Sequence, residues 1–507
     1  MPMLLQIIII CITVLRPTIF KYKERSMNLT KMASAIALSS LLIACGSDSS
    51  DNSSSSAINV DNVQKVLDTN ADIAFATYSD SLATAELLKT ALATFKATPN
   101  DANLVAAKRA WLVSREPYGQ TEVYRFRNSP IDSTDYSSED GPEGDINAWP
   151  LGEALIDYVE TNATDFTADQ VGVTANSADV NNNGSVDGST VTQNIIANTS
   201  ITINGALLAN TAAADDEHDV IAGYHAIEFM LWGQDLNITD QTTTDGTDRA
   251  NADNSTSAGG QRPLSDFEYM NINDGSELSV RRHAFLEVAV DKLIADLEGV
   301  LDGWKDNVNG NYRDQFTTIT TEDQAKQKLT EILTGMGTLS EGELAGERMQ
   351  ISLVNNSQED EHSCFSDNTH RDIWLNAEGV SNSFYGDYTG YDSTQNGVDD
   401  VTTSAVSGYG IDDYLSDAGL SSLSTQVTTA LNLTKTNYTA IDVSARNGSP
   451  FDVLIQTLDA NGDVAKTIMS LNSQANLIND IADELGLGDV VDAGASDCDT
   501  ADPTSGC

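Results

Sequence analysis

Apolar residues recur at intervals of three and four along most of this 507-residue chain, and that period constrains the fold more than any other feature. Val63, Val66 and Leu67, followed by Leu82, Leu87, Leu88, Leu92 and Phe95, predict a helix over residues 61–96. Pro99, Asn100 and Asp101 end it and cap a second helix running from about 102 to 126. The same period predicts helices over 151–159, 215–232, 279–304, 412–433 and 470–487. It also marks 321–353, with a break near Gly335 and Gly337. No stretch alternates with a period of two at comparable strength. The expected class is all-α: two helical-bundle halves, about 61–270 and 271–490, with long polar loop insertions at 128–148, 161–190, 237–262 and 386–409.

Charge narrows the function. The chain carries 27 basic and 76 acidic residues, a net charge of -49. A broad basic face for nucleic acid is excluded, because such a surface repels the phosphate backbone. An acidic chain instead favours cationic partners, metal ions among them. The 40% hydrophobic content separates it from acidic disordered chains.

The N-terminal segment reads as an export leader. Residues 4–15 are apolar but too few to span a bilayer as a helix. From Met27 the sequence places Lys31 before an apolar stretch and small residues before Cys45, the order of a signal peptide. Leu42-Ile43-Ala44-Cys45 is similar to a bacterial lipobox, which predicts lipid attachment at Cys45. On this reading 1–44 is a leader, with 27–44 the lipoprotein signal, Met27 or Met32 the start and 1–26 an over-extended start. Residues 45–60 are a Ser/Asp-rich tether. Gly46 after the cysteine favours the outer membrane, so the body is expected in the cell envelope, held only by its lipid. Of the remaining cysteines, Cys498 and Cys507 bracket the polar tail 491–507 and are expected to pair there, independently of the core, leaving Cys364 as a free thiol.

Three stretches place charge where a helix normally presents its core face. Trp111, Arg115, Tyr118, Glu122 and Arg125 follow one another at helical spacing. Buried charges are tolerated when they pair or bind something, so this seam is either a structural ion-pair interface or the wall of a polar site. His218, Ile221, His225, Glu228 and Trp232 repeat the pattern. His225 and Glu228 lie three apart, about one turn, which suits a two-ligand metal half-site and equally a structural His–Glu pair. Gly223 allows another backbone to come close. A third cluster, 355–374, gathers Glu359, Asp360, Glu361, His362, Asp367, His370 and Asp372. Cys364, Phe365 and Trp374 are interleaved with these charges, which sets the cluster apart from a purely solvated acidic loop.

These motifs together resemble the imelysin family, also called the insulin-cleaving metalloprotease family. GYHAIEFMLWGQD is similar to its G-x-H-x-x-E signature, and REPYGQTEVYRF and EDEHSCFSDNTH to two further signature stretches, especially in the iron-regulated protein A branch. GQRPLSDFEYM, 260–270, is similar to another family segment. The likeness runs from about 61 to 490 and departs from the family core at the 161–190 insertion. It implies an all-helical pair of bundle-like halves with the site between them, and an extracytoplasmic role in iron acquisition or peptide cleavage. Its site would hold Gly223, His225 and Glu228, with Arg115, Tyr118, Glu122 and Arg125 opposite.

The residues favour metal binding over catalysis. A zincin needs H-E-x-x-H, but Ala226 follows His225 and Phe229 stands where the second histidine belongs. Glu122, Glu361, Asp367 and His370 are candidate additional ligands, and no residue identifies itself as the base that hydrolysis requires. Imidazole and carboxylate donors suit iron, favoured here over zinc, with capacity for an anionic co-ligand supplied by the two arginines. A metallopeptidase and a structural or polypeptide-binding surface module remain as alternatives. At 179–190, Asp179, Asn181, Asn183, Gly184 and Asp187 fit a calcium loop, although Thr190 replaces the bidentate glutamate.

Overall fold

The computed structural model describes residues 58–138, 140–157, 194–208, 220–234, 259–260, 262–268, 276–357, 360–488, 490 and 498–507. Ser54–Cys507 forms one compact unit, and residues 1–57 lie outside the described residues. Cys45, the calcium-like loop at 179–190 and His218 therefore lie outside them as well. The class is all-α. Among the described residues the strands are Asp387–Tyr388 and Val406–Ser407, a two-rung antiparallel pair in the polar segment after residue 385.

The first helix spans Val60–Ala97 and is capped by Asn59, whose side chain accepts the Asn62 N–H at 3.1 Å. Its buried face carries Val63, Val66, Leu67, Leu88, Leu92 and Phe95, whereas Leu87 faces solvent. The second helix, Asp101–Gly119, is capped the same way by Asn100 and packs along the first. It ends earlier than its apolar spacing predicts. Pro117 supplies no N–H and crowds the preceding turn. The Gln120 N–H turns back to the Pro117 carbonyl, and Glu122–Tyr124 follows as a separate 3-10 turn with Arg125 extended beyond it. Gly119 also admits the Leu375 side chain, which would collide with a Cβ there.

The helix expected over 215–232 begins only at Gly223, among the described residues, and ends at Trp232. Gly223 has a φ of 81°, outside helical geometry, and Ala222 before it is extended. The Ser276–Trp304 helix packs against Val60–Ala97 and Gly223–Trp232.

No break interrupts 322–355. Glu322–Thr338 is α-helical, Leu339–Gln350 continues as a π-helix, and Ile351–Asn355 returns to α. Gly335 is accommodated by close packing rather than by a bend, since a Cβ there would overlap the Val123 carbonyl oxygen. This rod links the two helix groups. Its first part touches both Val60–Ala97 and the Asp463–Leu485 helix, and its π-helical part packs on the latter. Thr369–Tyr385 and Ser421–Arg446 complete the second group. One core cluster runs from Ile58 to Val490, with a smaller one around Leu344, Met349, Ile373, Tyr438 and Ile468.

The C-terminal tail is part of this packing. Cys498 and Cys507 are joined by a disulfide. Inside the loop they close, the carbonyls of Asp499, Asp502 and Ser505 all accept from Nε2 of buried Gln350, at 3.1, 3.3 and 3.3 Å. Asn472 donates to Thr500 Oγ1 at 2.8 Å. The expectation of a tail independent of the core is corrected by these bonds, because the buried Nε2 of a π-helical glutamine finds its acceptors on the tail backbone.

Candidate metal centre

His225 and Glu228 project from the first turns of the Gly223–Trp232 helix, three residues apart, and both are fully buried. His225 Nδ1 lies 2.8 Å from Glu228 Oε2. Ser366 holds the other carboxyl oxygen, donating from its N–H at 3.0 Å and its Oγ at 2.6 Å. Opposite, His362 presents its ring so that the two Nε2 atoms stand 3.1 Å apart. His362 Nδ1 is held by Asp372 Oδ2 at 2.6 Å. Trp149 stands edge-on to His225, with ring centroids 4.9 Å apart.

Electrostatics fix the proton arrangement. Burial keeps His225 neutral, reinforced by His362, and holds its pKa well below the usual histidine range. Burial, then Arg348, brings His362 down to about 4. Burial raises Glu228 to about 8 against the pull of Ser366, so at neutral pH it is mainly the acid. Burial also opposes ionisation of Asp372, but Arg115, His362 and Ser363 outweigh it and hold this carboxyl well below its ordinary range. One assignment satisfies every group. Glu228 donates to His225 Nδ1, His225 Nε2–H donates to His362 Nε2, and His362 Nδ1–H donates to ionised Asp372. The His225–Glu228 contact is thus a neutral hydrogen bond rather than an ion pair.

The network continues into the arginine seam. Arg115 reaches Asp372 Oδ1 through Nε and Nη2, at 3.3 and 3.1 Å, and donates through Nη1 to Asn147. Asn147 donates to Glu122 Oε1 at 3.1 Å. Glu122 Oε2 accepts from Arg125 at 3.0 Å and Arg348 at 3.1 Å, and both arginines also bind Glu343. Burial works against ionised Glu122 and Glu343, yet the arginines prevail and bring Glu343 down to about 2. Tyr118 packs on Tyr224, and the Arg115 guanidinium lies over both rings. Gly223 brings its helix start against the Ile146 carbonyl, where a Cβ would not fit.

The predicted residues therefore divide. His225, Glu228, Arg115, Glu122 and Arg125 belong to one connected polar network, although Glu122 and Arg125 reach it from beyond the helix rather than along a helical face. Glu122 is held by cations at Arg125 and Arg348. Glu361 accepts from Thr369 Oγ1 at 2.7 Å, Asp367 accepts the Gly259 N–H at 2.7 Å, and His370 sits 3.8 Å from Asp442. None of these three makes a hydrogen bond to His225. Both arginines expected to serve an anionic co-ligand are engaged by protein carboxylates instead. His362, Asp372, Asn147, Arg348 and Glu343 join the network without a spacing in the sequence that marks them as site residues. His362 and Asp372 sat in plain view within the third cluster; their ten-residue separation crosses a 3-10 turn and a helix start, which no periodic pattern connects. Among the described residues, no group of three or more His, Cys, Asp or Glu is disposed to hold a metal ion. The His225–His362 pair offers two nitrogen donors.

In comparisons with known proteins, the imelysin family model matches residues 74–478. A 74-residue stretch, 15% of this chain, is 38% identical to iron-regulated protein A of Synechococcus elongatus; the match spans only 18% of that relative's length. Among solved structures, a protein from Parabacteroides distasonis named an iron-regulated protein A precursor is similar at a TM-score of 0.53 and 15% identity, over 85% of this chain and 97% of that one. An imelysin-like protein from Psychrobacter arcticus is similar at a TM-score of 0.48 and 14% identity, over 85% and 98%. The Parabacteroides structure shows the same fold.

Proposed function

The chain belongs to the imelysin family, and on that premise we propose that it captures a metal ion between His225 and His362 as a cell-envelope lipoprotein engaged in iron uptake. The observation that carries this reading is the pair of Nε2 atoms, 3.1 Å apart, each on a ring oriented from behind by a carboxyl group. Metal-binding histidines are commonly held in this way; ionised Asp372 fixes the tautomer of His362 and raises the basicity of its Nε2, and Glu228 would do the same for His225 once it gives up its proton. The donor chemistry fits a first-row metal, since both rings are neutral and imidazole suits iron, zinc and copper. A metal there would displace the proton that His225 Nε2 donates to His362 Nε2; the acid proton of Glu228 would then pass to His225 Nδ1, which would donate back to the Glu228 carboxylate. Glu228 and Asp372 orient the rings, Ser366 and Arg115 orient those carboxyl groups, and Trp149 packs over the rings.

Iron is favoured over zinc because relatives carry the name iron-regulated protein A, and the strongly acidic chain concentrates cations around it. Lipid attachment at Cys45 would retain such a protein at the outer membrane. The test is titration of the folded protein with iron(II) under anaerobic conditions and with zinc, alongside His225→Ala and His362→Ala. Each variant should lose most of the affinity while retaining its helical circular dichroism. Tight, unchanged binding by both variants would make the histidine pair structural.

A further inference from the structure

We propose that Trp149 is the gate of the histidine pair: its indole closes the two Nε2 atoms off from solvent, and an ion reaches them only while that ring is turned aside. That the entering species is a metal ion rests on the function proposed above. That Trp149 controls entry rests on the packing alone.

The pair has no exposure of its own. His225 is 0% exposed and His362 3%. The polar groups around them are buried and bound to one another, Ser366 to Glu228 and Arg115 to Asp372. Moving any of these would strand a buried hydrogen-bonding group. The aromatic neighbours differ. The Trp149 ring centroid stands 4.9 Å from that of His225, 6.0 Å from that of His362 and 5.4 Å from that of Phe365. Phe365 is itself buried and backed by Phe229. Among the described residues in ring contact with the two imidazoles, Trp149 alone is partly exposed.

The backbone suits a local swing. Asn147 is a buried anchor, bound to Arg115 and Glu122. Leu151 is buried too, and the Gly152 N–H donates to the Val220 carbonyl at 2.7 Å. Between these anchors Ala148, Trp149 and Pro150 are each partly exposed and belong to no helix or strand. The indole can therefore rotate about its side-chain bonds while the anchors, and through Asn147 the polar network, stay in place. The ring contacts it gives up are individually weak.

The test begins without metal, so that its outcome does not depend on the proposed function. Chelator-treated protein, lacking only its leader, is labelled with diethyl pyrocarbonate, which acylates accessible neutral imidazoles, and the label on each histidine is read by peptide mass spectrometry. In the wild type His225 and His362 should label slowly. Trp149→Ala should speed both by at least about tenfold, the mark of a local opening. His283, packed against Phe95 and Phe267, and His370, beside Asp442, should keep their wild-type rates. Trp149→Phe restores a ring and should return most of the protection. If Trp149→Ala fails to fold, Trp149→Leu takes its place. Stopped-flow mixing with zinc should then show faster association as well as faster dissociation in the variant, whereas lost packing in the bound state would change dissociation alone. The gate is overturned if His225 and His362 label no faster in the folded variant, if all four histidines speed up together, or if zinc associates at an unchanged rate. Faster labelling of the pair alone, in a protein that binds no zinc, upholds the gate and overturns the metal reading instead.

Discussion

Asp372 holds His362 from behind, with Oδ2 2.6 Å from the ring Nδ1, and its other oxygen takes the buried Arg115 guanidinium. One carboxylate thereby orients a candidate ligand and neutralises a cation in the core. One substitution disturbs both roles, and two measurements tell them apart.

Asp372→Asn should lower metal affinity about 10–100-fold, the range for loss of an outer carboxylate. It should also destabilise the fold by about 3–5 kcal/mol, because Arg115 is 1% exposed and loses its charged partner. Metal titration and urea unfolding of the same preparation read the two effects. Unchanged stability would mean that Arg115 finds compensation elsewhere.

Gly335→Ala tests the close approach of the rod to the Glu122–Tyr124 turn. The added Cβ meets the Val123 carbonyl oxygen, a backbone atom that cannot swing aside. A loss of about 1–3 kcal/mol is expected, typical of overpacking. Gly299→Ala is the control, since nothing lies near a Cβ there and helix propensity favours alanine. Equal effects of the two substitutions would contradict the packing account.

Acid should weaken the protein partly through His370. Burial, opposed by Asp442, depresses its pKa to about 4, below the unfolded value near 6.5. The unfolded chain therefore takes up the proton first. The stability contribution is complete above about pH 6.5 and falls as pH drops toward 4, by at most about 3 kcal/mol. Other buried histidines act in the same direction. The checking measurement is therefore the difference in urea stability between wild type and His370→Gln across this range, which should narrow as the pH falls. A pH-independent difference would show that His370 is not depressed.

Reduction of the Cys498–Cys507 disulfide should cost more than a free tail would suggest. Opening a loop with a sequence separation of 9 forfeits up to about 3 kcal/mol in the chain-entropy picture. Freeing the loop also threatens the three carbonyls that accept from Gln350 Nε2. The melting temperature should fall on reduction, and equally in Cys498→Ser. No change in either would restore the view of the tail as an appendage.

The sequence revealed the fold class because a three-and-four apolar period survives wherever a helix covers a core. It also revealed the His225–Glu228 pair, since both lie within a single helix. Boundaries failed where tertiary packing overrode the period. Pro117 and Gly119 end a helix whose apolar spacing continues, and Gly335, read as a break, fits a close contact. The partner His362 was hidden for a different reason. It is 137 residues from His225, and only the packing of two chain segments brings the rings together. Arg348 and Glu343 were hidden because five-residue spacing is not a side-chain pair in an α-helix.

That last spacing has a consequence for how this chain tolerates change. Five residues along an α-helix point about 140° apart. In the π-helical segment Leu339–Gln350 the backbone bonds reach five residues back, as Ile351 does to Gly346. Glu343 and Arg348 meet there at 2.8 Å, and Arg348 also reaches Glu122. The ion-pair cluster is therefore written in the length of the chain as well as in its side chains. Deleting one residue at 339–342 or 349–350 could relax the segment to an α-helix with both charged residues still five apart, which would swing them away from each other, whereas a deletion between them would leave an i,i+4 pair. Relatives that differ in length here would have to rebuild this corner of the network, whereas those that differ only in composition need not.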